Sequence, residues 1–416
     1  MSVAAGGSRS PFSVLQNAQF RLLFIGNTLA MMGFGMMNVV QGVVAFDLTG
    51  RNSAVGFIAL GQGLAMVFLS PLGGALSDRL SKRKLLTFTQ ASIGLMFALI
   101  AVLIYTDAIT IGILFACTLV LGCMFALMGP TRQAWIGDLL NGEELVHGVA
   151  LQQLSMNSTR IVGPLLAGVL LAIAFFGSGG VYAAMAITFA LVVGVLFLMQ
   201  PTPPTPKAGS TSVFGDLLAG GHYIWNTSEV RLLTLVFAGI VLSGFSYQTL
   251  LPGFLENELG HPASHLGFLF GTTAIGGIIT TVFISLRRPA KSVFIMLCCG
   301  GALALSLLAL ALSPTFEAAL AVCAIIGASS SGFQMLNNVN LMQRTSPQFF
   351  GRVMAVTMMA FGLNNIVSYP VGALADHIGE RNAMASMATI CMAIVICGMI
   401  ASTRVVYGAT AVPVER

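Results

Sequence analysis

Charge is what this chain has least of. Asp, Glu, Lys and Arg make up 8% of its 416 residues, against about 25% in an ordinary soluble domain. Water is therefore excluded as the main solvent of the fold. Histidine is sparse too, five in all, and no HExxH, GxSxG or Walker P-loop occurs. A membrane enzyme, the main rival class, has no motif to stand on, and no cofactor is expected. His261 and His265 are four residues apart, but Pro262 intervenes and the stretch reads as a loop, so no metal site is expected. Cys117, Cys123, Cys298, Cys299, Cys323, Cys391 and Cys397 all fall in apolar runs without CxxC spacing. They read as packing residues.

What the chain has is apolar length: 56% of its residues are hydrophobic. A bilayer core of roughly 30 Å takes about 20 apolar residues per helical crossing. Six runs of that kind occupy 18–47, 53–76, 85–106, 109–129, 148–176 and 180–200, and six more 232–254, 266–286, 293–312, 317–341, 352–374 and 383–402. Stretches such as ALVVGVLFLM and LALSLLALAL are apolar on every face. Barrel strands would alternate, so these runs predict helices, whose backbone polar groups are satisfied within each segment. The fold class is an all-α membrane protein of twelve spans. The polar start MSVAAGGSRS, followed by a long apolar run without a small-residue cleavage site, predicts a retained first helix.

Positive residues accumulate on the cytoplasmic side of membrane proteins. With both termini inside, Arg51 and Arg381 face outward, Arg160 lies within a helix, and the other sixteen of the 19 Lys and Arg fall inside. The net charge of +5 thus reflects topology and predicts no nucleic-acid partner. The non-apolar stretch 201–231 opens with PTPPTPKAGSTS and divides the chain into 1–200 and 232–416. Its second part places Phe214, Leu217, Leu218 and Trp225 on one helical face, either a helix along the inner membrane surface or a plain loop. The segments Phe125–Gly168 and Phe333–Gly372 share an order of helix, polar turn, helix and proline, with Pro164 matching Pro370. Two six-helix bundles on one plan are expected.

After the second run comes Gly74-Ala-Leu-Ser-Asp78-Arg79-Leu-Ser81-Lys82-Arg83. This resembles the loop signature of the major facilitator superfamily, with Ser81 in place of its second glycine, and the likeness covers essentially the whole chain. Gly74 allows close helix approach, and Asp78 can accept hydrogen bonds from a helix N-terminus. The resemblance assigns Gly74, Asp78, Arg79 and Arg83 to gating; Lys82, Arg83 and Lys84 also read as ordinary positive-inside residues. A second copy, Gly372-Ala-Leu-Ala-Asp376-His377-Ile-Gly379-Glu380-Arg381, lies on the expected outer side and reads as a turn. Gly163-Pro164, followed by Ala167 and Gly168, resembles the signature of exporter branches, with Thr159 where a glycine is expected, and adds Gly163 and Pro164 to the gating set. With PTRQAWIGDL at 130–139 and FRLL near residue 20, the pattern is similar to the bacterial enterobactin-exporter group.

Arg160 is the charge placed well inside the bilayer, where it costs at least ~2.5 kcal/mol and persists mainly beside a cavity or partner. A structural Arg bonded to helix carbonyls is the alternative. Asn157 shares its face. Asn38, Gln41, Tyr247, Gln248, Asn337, Asn338, Asn340 and Asn364, with Asn365 and Tyr369, occupy helices that line the cavity in this superfamily. Such amides either bind solute or bond across helix interfaces. No carboxylate falls mid-membrane, which disfavours a cationic solute and suits a neutral, zwitterionic or anionic one. If protons drive transport, Asp47, Glu256 or Asp78 must carry them. The reading is a monomeric secondary exporter of a small siderophore-like or drug-like solute in a bacterial inner membrane, with the lipid bilayer as its other partner. An uptake carrier is the runner-up, and a non-transporting sensor the alternative of another class.

Overall fold

The computed structural model describes residues 11–79, 81–140, 143–173, 175–200, 213–287 and 292–405, and every regular element in them is helical. The long helices are α1 (Ala18–Asp47), α2 (Asn52–Arg79), α3 (Lys82–Tyr105), α4 (Ile111–Leu139), α5 (Glu143–Ala172) and α6 (Gly177–Leu198). A shorter α7 (Val213–Asn226) follows. Then come α8 (Ser228–Gly244), α9 (Leu266–Arg287), α10 (Ser292–Ala311), α11 (Phe316–Arg344), α12 (Pro347–Ile378) and α13 (Glu380–Val405). Among the described residues ten helices are long and apolar enough to span a membrane.

The sequence explains where the helices begin. Asn17, Ser81, Thr110 and Thr315 each place a side-chain oxygen on backbone N–H groups of the first turn of α1, α3, α4 and α11. Those N–H groups have no acceptor within the helix. The exception to regularity is the continuation of α8. Beyond Gly244 it becomes a 3-10 turn (Ser246–Leu250), a single α turn at Leu251–Gly253 and a π turn (Phe254–Glu258). Pro252, which lacks an N–H and so removes one ladder bond, sits in this stretch, although α5 and α12 run on as regular helices through Pro164 and Pro370.

Helices α1 to α6 pack on one another, chiefly α2 with α4, α3 with α6 and α1 with α5 and α6. Helices α8 to α13 do the same, chiefly α9 with α11, α10 with α11 and α13, and α8 with α13. The two groups meet along α2 against α12 and α5 against α9. The loop alternative for the linker is overturned: α7 is a helix that packs on the start of α12. The Tyr223 ring stacks on Phe349 at 4.5 Å, and its hydroxyl accepts the Ser346 N–H at 3.1 Å. Bonds from the Ser346 hydroxyl and N–H hold this phenol below its usual pKa. Leu218 and Trp225 remain exposed.

One end of the first group is pinned by an ion pair between Lys82, buried at the start of α3, and Asp138 near the end of α4, whose side chain is part-exposed. Removing one partner of a sheltered pair leaves the other charge uncompensated. Lys82→Met is expected to lower the thermal unfolding midpoint in detergent by several degrees, a loss of about 1–3 kcal/mol. Lys82→Met with Asp138→Leu should recover part of it. An unchanged midpoint in Lys82→Met would mean the pair contributes nothing.

Candidate functional site

The seam between the two groups of helices is built of glycine. A Cβ on Gly63 of α2 would stand 2.8 Å from the Gly362 carbonyl oxygen of α12. One on Gly56 would stand 2.7 Å from the Tyr369 Cα. On the other side a Cβ on Gly168 of α5 would stand 2.9 Å from the Gly267 Cα of α9. Such approaches leave room for no side chain, and they replace side-chain packing with backbone contact. Gly63 lies eleven residues into α2, about 17 Å along its axis, and Gly362 also meets Val67, about 22 Å along it, so the α2–α12 contact covers well over half of a 30 Å span. Phe57 of α2, stacked on Phe115 at 4.2 Å, meets Tyr369 of α12 edge-on at 6.0 Å.

The seam closes at the end where α2 begins and α12 finishes. There the Asp376 carboxylate accepts the backbone N–H of Asn52 at 2.8 Å and of Ser53 at 3.0 Å. These N–H groups open α2, and the helix dipole adds to the attraction for a negative charge. Glu380, 5% exposed, accepts from the side-chain amides of Asn52 at 2.8 Å and Asn257 at 2.6 Å. Arg381 donates to Glu258 at 2.5 Å and to the Ala311 carbonyl at 2.7 Å. The reading of Gly372–Arg381 as a turn is therefore corrected. Helix α12 runs through Asp376 to Ile378, and the turn is Gly379 alone, at φ +84°. Sequence reasoning missed Asn52, Asn257, Asp376 and Glu380. The duplicated Gly-x-x-x-Asp pattern was the available signal.

The expected solute residues are distributed in three ways. Asn38 is the one exposed residue between Gly26 and Phe46 of α1. It lies between Gly35, which abuts Gly163 and Pro164 of α5, and Gly42, which meets Val55 of its own group and Pro252 and Leu266 of the second. One turn along from Asn38, α1 thus reaches the other group. Gln248 and Asn338 are exposed as well, and Asn364 is half-buried. A second set is bound up within a group. Gln41 donates to Thr118 at 2.9 Å, Asn340 accepts from Arg344 at 2.9 Å, and Ser246 donates to Asn364 at 2.8 Å. Asn337 is fully buried, and among the described residues neither amide atom has a hydrogen-bond partner. Tyr247 lines a cavity of about 30 Å³ with Gln248, Thr273 and Ser330, room for about two waters. Third, Asn157 and Arg160 have their backbones in α5, while their side chains lie outside the described residues.

Among the gating residues, Gly74, Asp78 and Arg79 belong to the last turns of α2, with side chains outside the described residues. Arg83 donates to the Leu196 and Phe197 carbonyls at 3.1 and 2.8 Å, which ties α3 to the end of α6 within its own group. Gly163 presses on α1, where a Cβ would stand 2.8 Å from the Gly35 Cα, and Pro164 lies beside that contact. Gly163 thus packs within the first group and Gly168 across the seam.

Two groups of long apolar helices, meeting on glycine seams and closed by polar contacts at one end, define a membrane transporter of the major facilitator type. The chain belongs to the transmembrane secretion effector family, which it matches over residues 9–413. It is similar to the staphyloferrin A transporter of Staphylococcus aureus (strain NCTC 8325 / PS 47), with 27% identity over 90% of this chain and 92% of that protein. It is also similar to the enterobactin exporter EntS of Salmonella typhimurium, with 25% identity over 80% of each chain. Among solved structures, the nucleoside transporter NupG gives a TM-score of 0.74 at 13% identity, covering 92% of this chain and 98% of that one. A bacterial homologue of the human lysosomal transporter Spinster, in an inward-facing and unoccupied conformation, gives 0.71 at 12%, covering 97% and 98%. These last two share the fold alone. The family and its relatives are transporters, not enzymes.

Removing the charge from the seam clasp tests its role. In a cysteine-free background, spin labels at the exposed Thr49 and His377 report the separation of α1–α2 from the end of α12. Asp376→Asn is expected to shift the distance distribution toward longer separations, since about 0.3–1 kcal/mol of charge–dipole attraction at this exposed carboxylate is lost. A distribution unchanged by the substitution would show that the clasp does not hold the seam.

Proposed function

We propose that the protein is a secondary active exporter of a small neutral, zwitterionic or anionic organic solute, siderophore-like in chemistry, working by alternating access. The observation that carries this reading is Asn38, an amide that is the one exposed residue between Gly26 and Phe46 of α1, one turn from the contact of Gly42 with the second group. An uncharged hydrogen-bonding group there suits a polar solute without a positive charge. The names of the relatives, a staphyloferrin A transporter and an enterobactin exporter, agree with a siderophore-like solute, and the second agrees with export.

In this reading α5 and α12 join the ten apolar helices to make twelve spans, six in each of two bundles, 1–200 and 232–416, joined by 201–231. Both termini lie on the cytoplasmic side of a bacterial inner membrane, so the Asp376 end is outer and the Lys82 end inner. The conformation is then inward-facing: the seam is shut over its outer half, and the Asn38 face opens inward. Asp78, at the opposite end of α2 from Asn52, offers the matching contact for the outward-facing state. Arg160 and Asn157 complete the solute site with Gln248, Asn338 and Asn364, and the protein acts as a monomer. Protons are the candidate coupling ion, with Asp47, Glu256 and Asp78 as the carboxylates available to carry them.

The test is fluorescence quenching in proteoliposomes under an imposed pH gradient, with catecholate and hydroxycarboxylate siderophores, anionic drugs and cationic dyes. Anionic compounds are expected to dissipate the gradient, and Arg160→Ala to reduce the rate at least tenfold. A response to cations alone would overturn the solute class, and an unaffected variant the site. Absence of any flux across the panel would favour the sensor.

A further inference from the structure

Where α3 begins and α6 ends, an open groove of about 510 Å³ is lined by Ser81, Arg83, Lys84, Thr87, Phe88 and Phe197. It lies on the outside of the first group, away from both seams. Among the described residues its lining holds two cations and no acid. The nearby Asp138 is already engaged by Lys82. Arg83 is held rigidly, its Nε and Nη2 donating to the last carbonyls of α6, and among the described residues its Nη1 makes no hydrogen bond. Lys84 is exposed, and so are Phe88, Phe197 and Leu198 at 59%, 63% and 70%.

The order of these groups along the helix points to the occupant. Arg83 and Thr87, and Lys84 and Phe88, are pairs four residues apart, stacked on one face of α3. The cations stand at the very end of an apolar span that starts at Lys82. The hydroxyl and the phenyl ring lie about 6 Å deeper. Charge first, a hydrogen-bonding hydroxyl next and bare aromatic surface below it match an anionic amphiphile at a membrane interface, with phosphate above and acyl chain beneath. A soluble anion would satisfy the cations and leave Phe88 and Phe197 uncovered.

We infer that this groove binds one anionic glycerophospholipid of the leaflet at the Lys82 end, its phosphate held by Arg83 and Lys84 and a chain lying along Phe88 and Phe197. The bound lipid staples the start of α3 to the end of α6, beside the stretch of α2 that carries Asp78. The inference needs only that the protein is embedded in a bilayer, and it stands whatever the solute or direction of transport.

Native mass spectrometry of the full chain in detergent, titrated with phosphatidylglycerol, phosphatidylcholine or glycerol 3-phosphate, tests it. The intact protein is expected to bind one phosphatidylglycerol at least tenfold more tightly than phosphatidylcholine. Arg83→Gln should weaken that binding about fivefold, the factor corresponding to about 1 kcal/mol per basic residue near a membrane surface, and Lys84→Glu should weaken it more. Among the described residues the Lys84 side chain makes no hydrogen bond or ion pair, so its variant keeps the test open if Arg83→Gln fails to fold. Equal affinity in Lys84→Glu, or equal binding of the two lipids, would overturn the site. Glycerol 3-phosphate binding as tightly as the lipid would overturn the lipid assignment in favour of a soluble phosphate.

Discussion

Two backbone N–H groups at the start of α2, those of Asn52 and Ser53, have no acceptor in their own helix, and the Asp376 carboxylate takes both. Asn52 is buried, and a buried N–H left unmatched is expensive, whereas Asp376 is exposed and gives up little hydration to accept it. The donors and the acceptor belong to opposite groups of helices. Once that clasp is made, α2 and α12 are in register, and the close backbone approaches at Gly56 and Gly63 follow from it. Glycine seams contribute little directional attraction, since lipid tails compete well with apolar packing. The direction comes from the polar end.

That division of labour suits a protein that must move. A seam of large interlocked side chains would resist separation, whereas backbone contact over glycine gives way once a few charge-assisted bonds at the rim are released. The irregular path of the chain from Gly244 to Glu258 serves the same end of the molecule. It brings Asn257 to Glu380 and Glu258 to Arg381.

The helices were legible in the sequence because their signal is long and redundant: each run of about 20 apolar residues states its own class. Their starts were legible only approximately: the third and fourth apolar runs begin at 85 and 109, whereas Ser81 and Thr110 cap helices that begin at Lys82 and Ile111. The clasp was less so. Asp376 and Glu380 sit among other acids on the expected outer side, and nothing local marks their partners, which are 324 and 328 residues away in the chain. The amides divided for a reason composition cannot supply. Asn337 and Asn338 are neighbours in sequence, but successive residues of a helix point about 100° apart, so one is buried and the other exposed. Gln41 looked like a site residue and bonds Thr118, and its neighbour Asn38 is the one left open.

Closure at the Asp376 end, with the Asn38 face open to the other side, is the claim on which the transport cycle rests. Asn38→Cys in a cysteine-free protein, treated with a membrane-impermeant maleimide on either face of sealed vesicles, addresses it directly. Labelling from the cytoplasmic face, at a rate at least tenfold above that from the outside, is the expected result. Labelling from the outer face alone, or from neither, would contradict it.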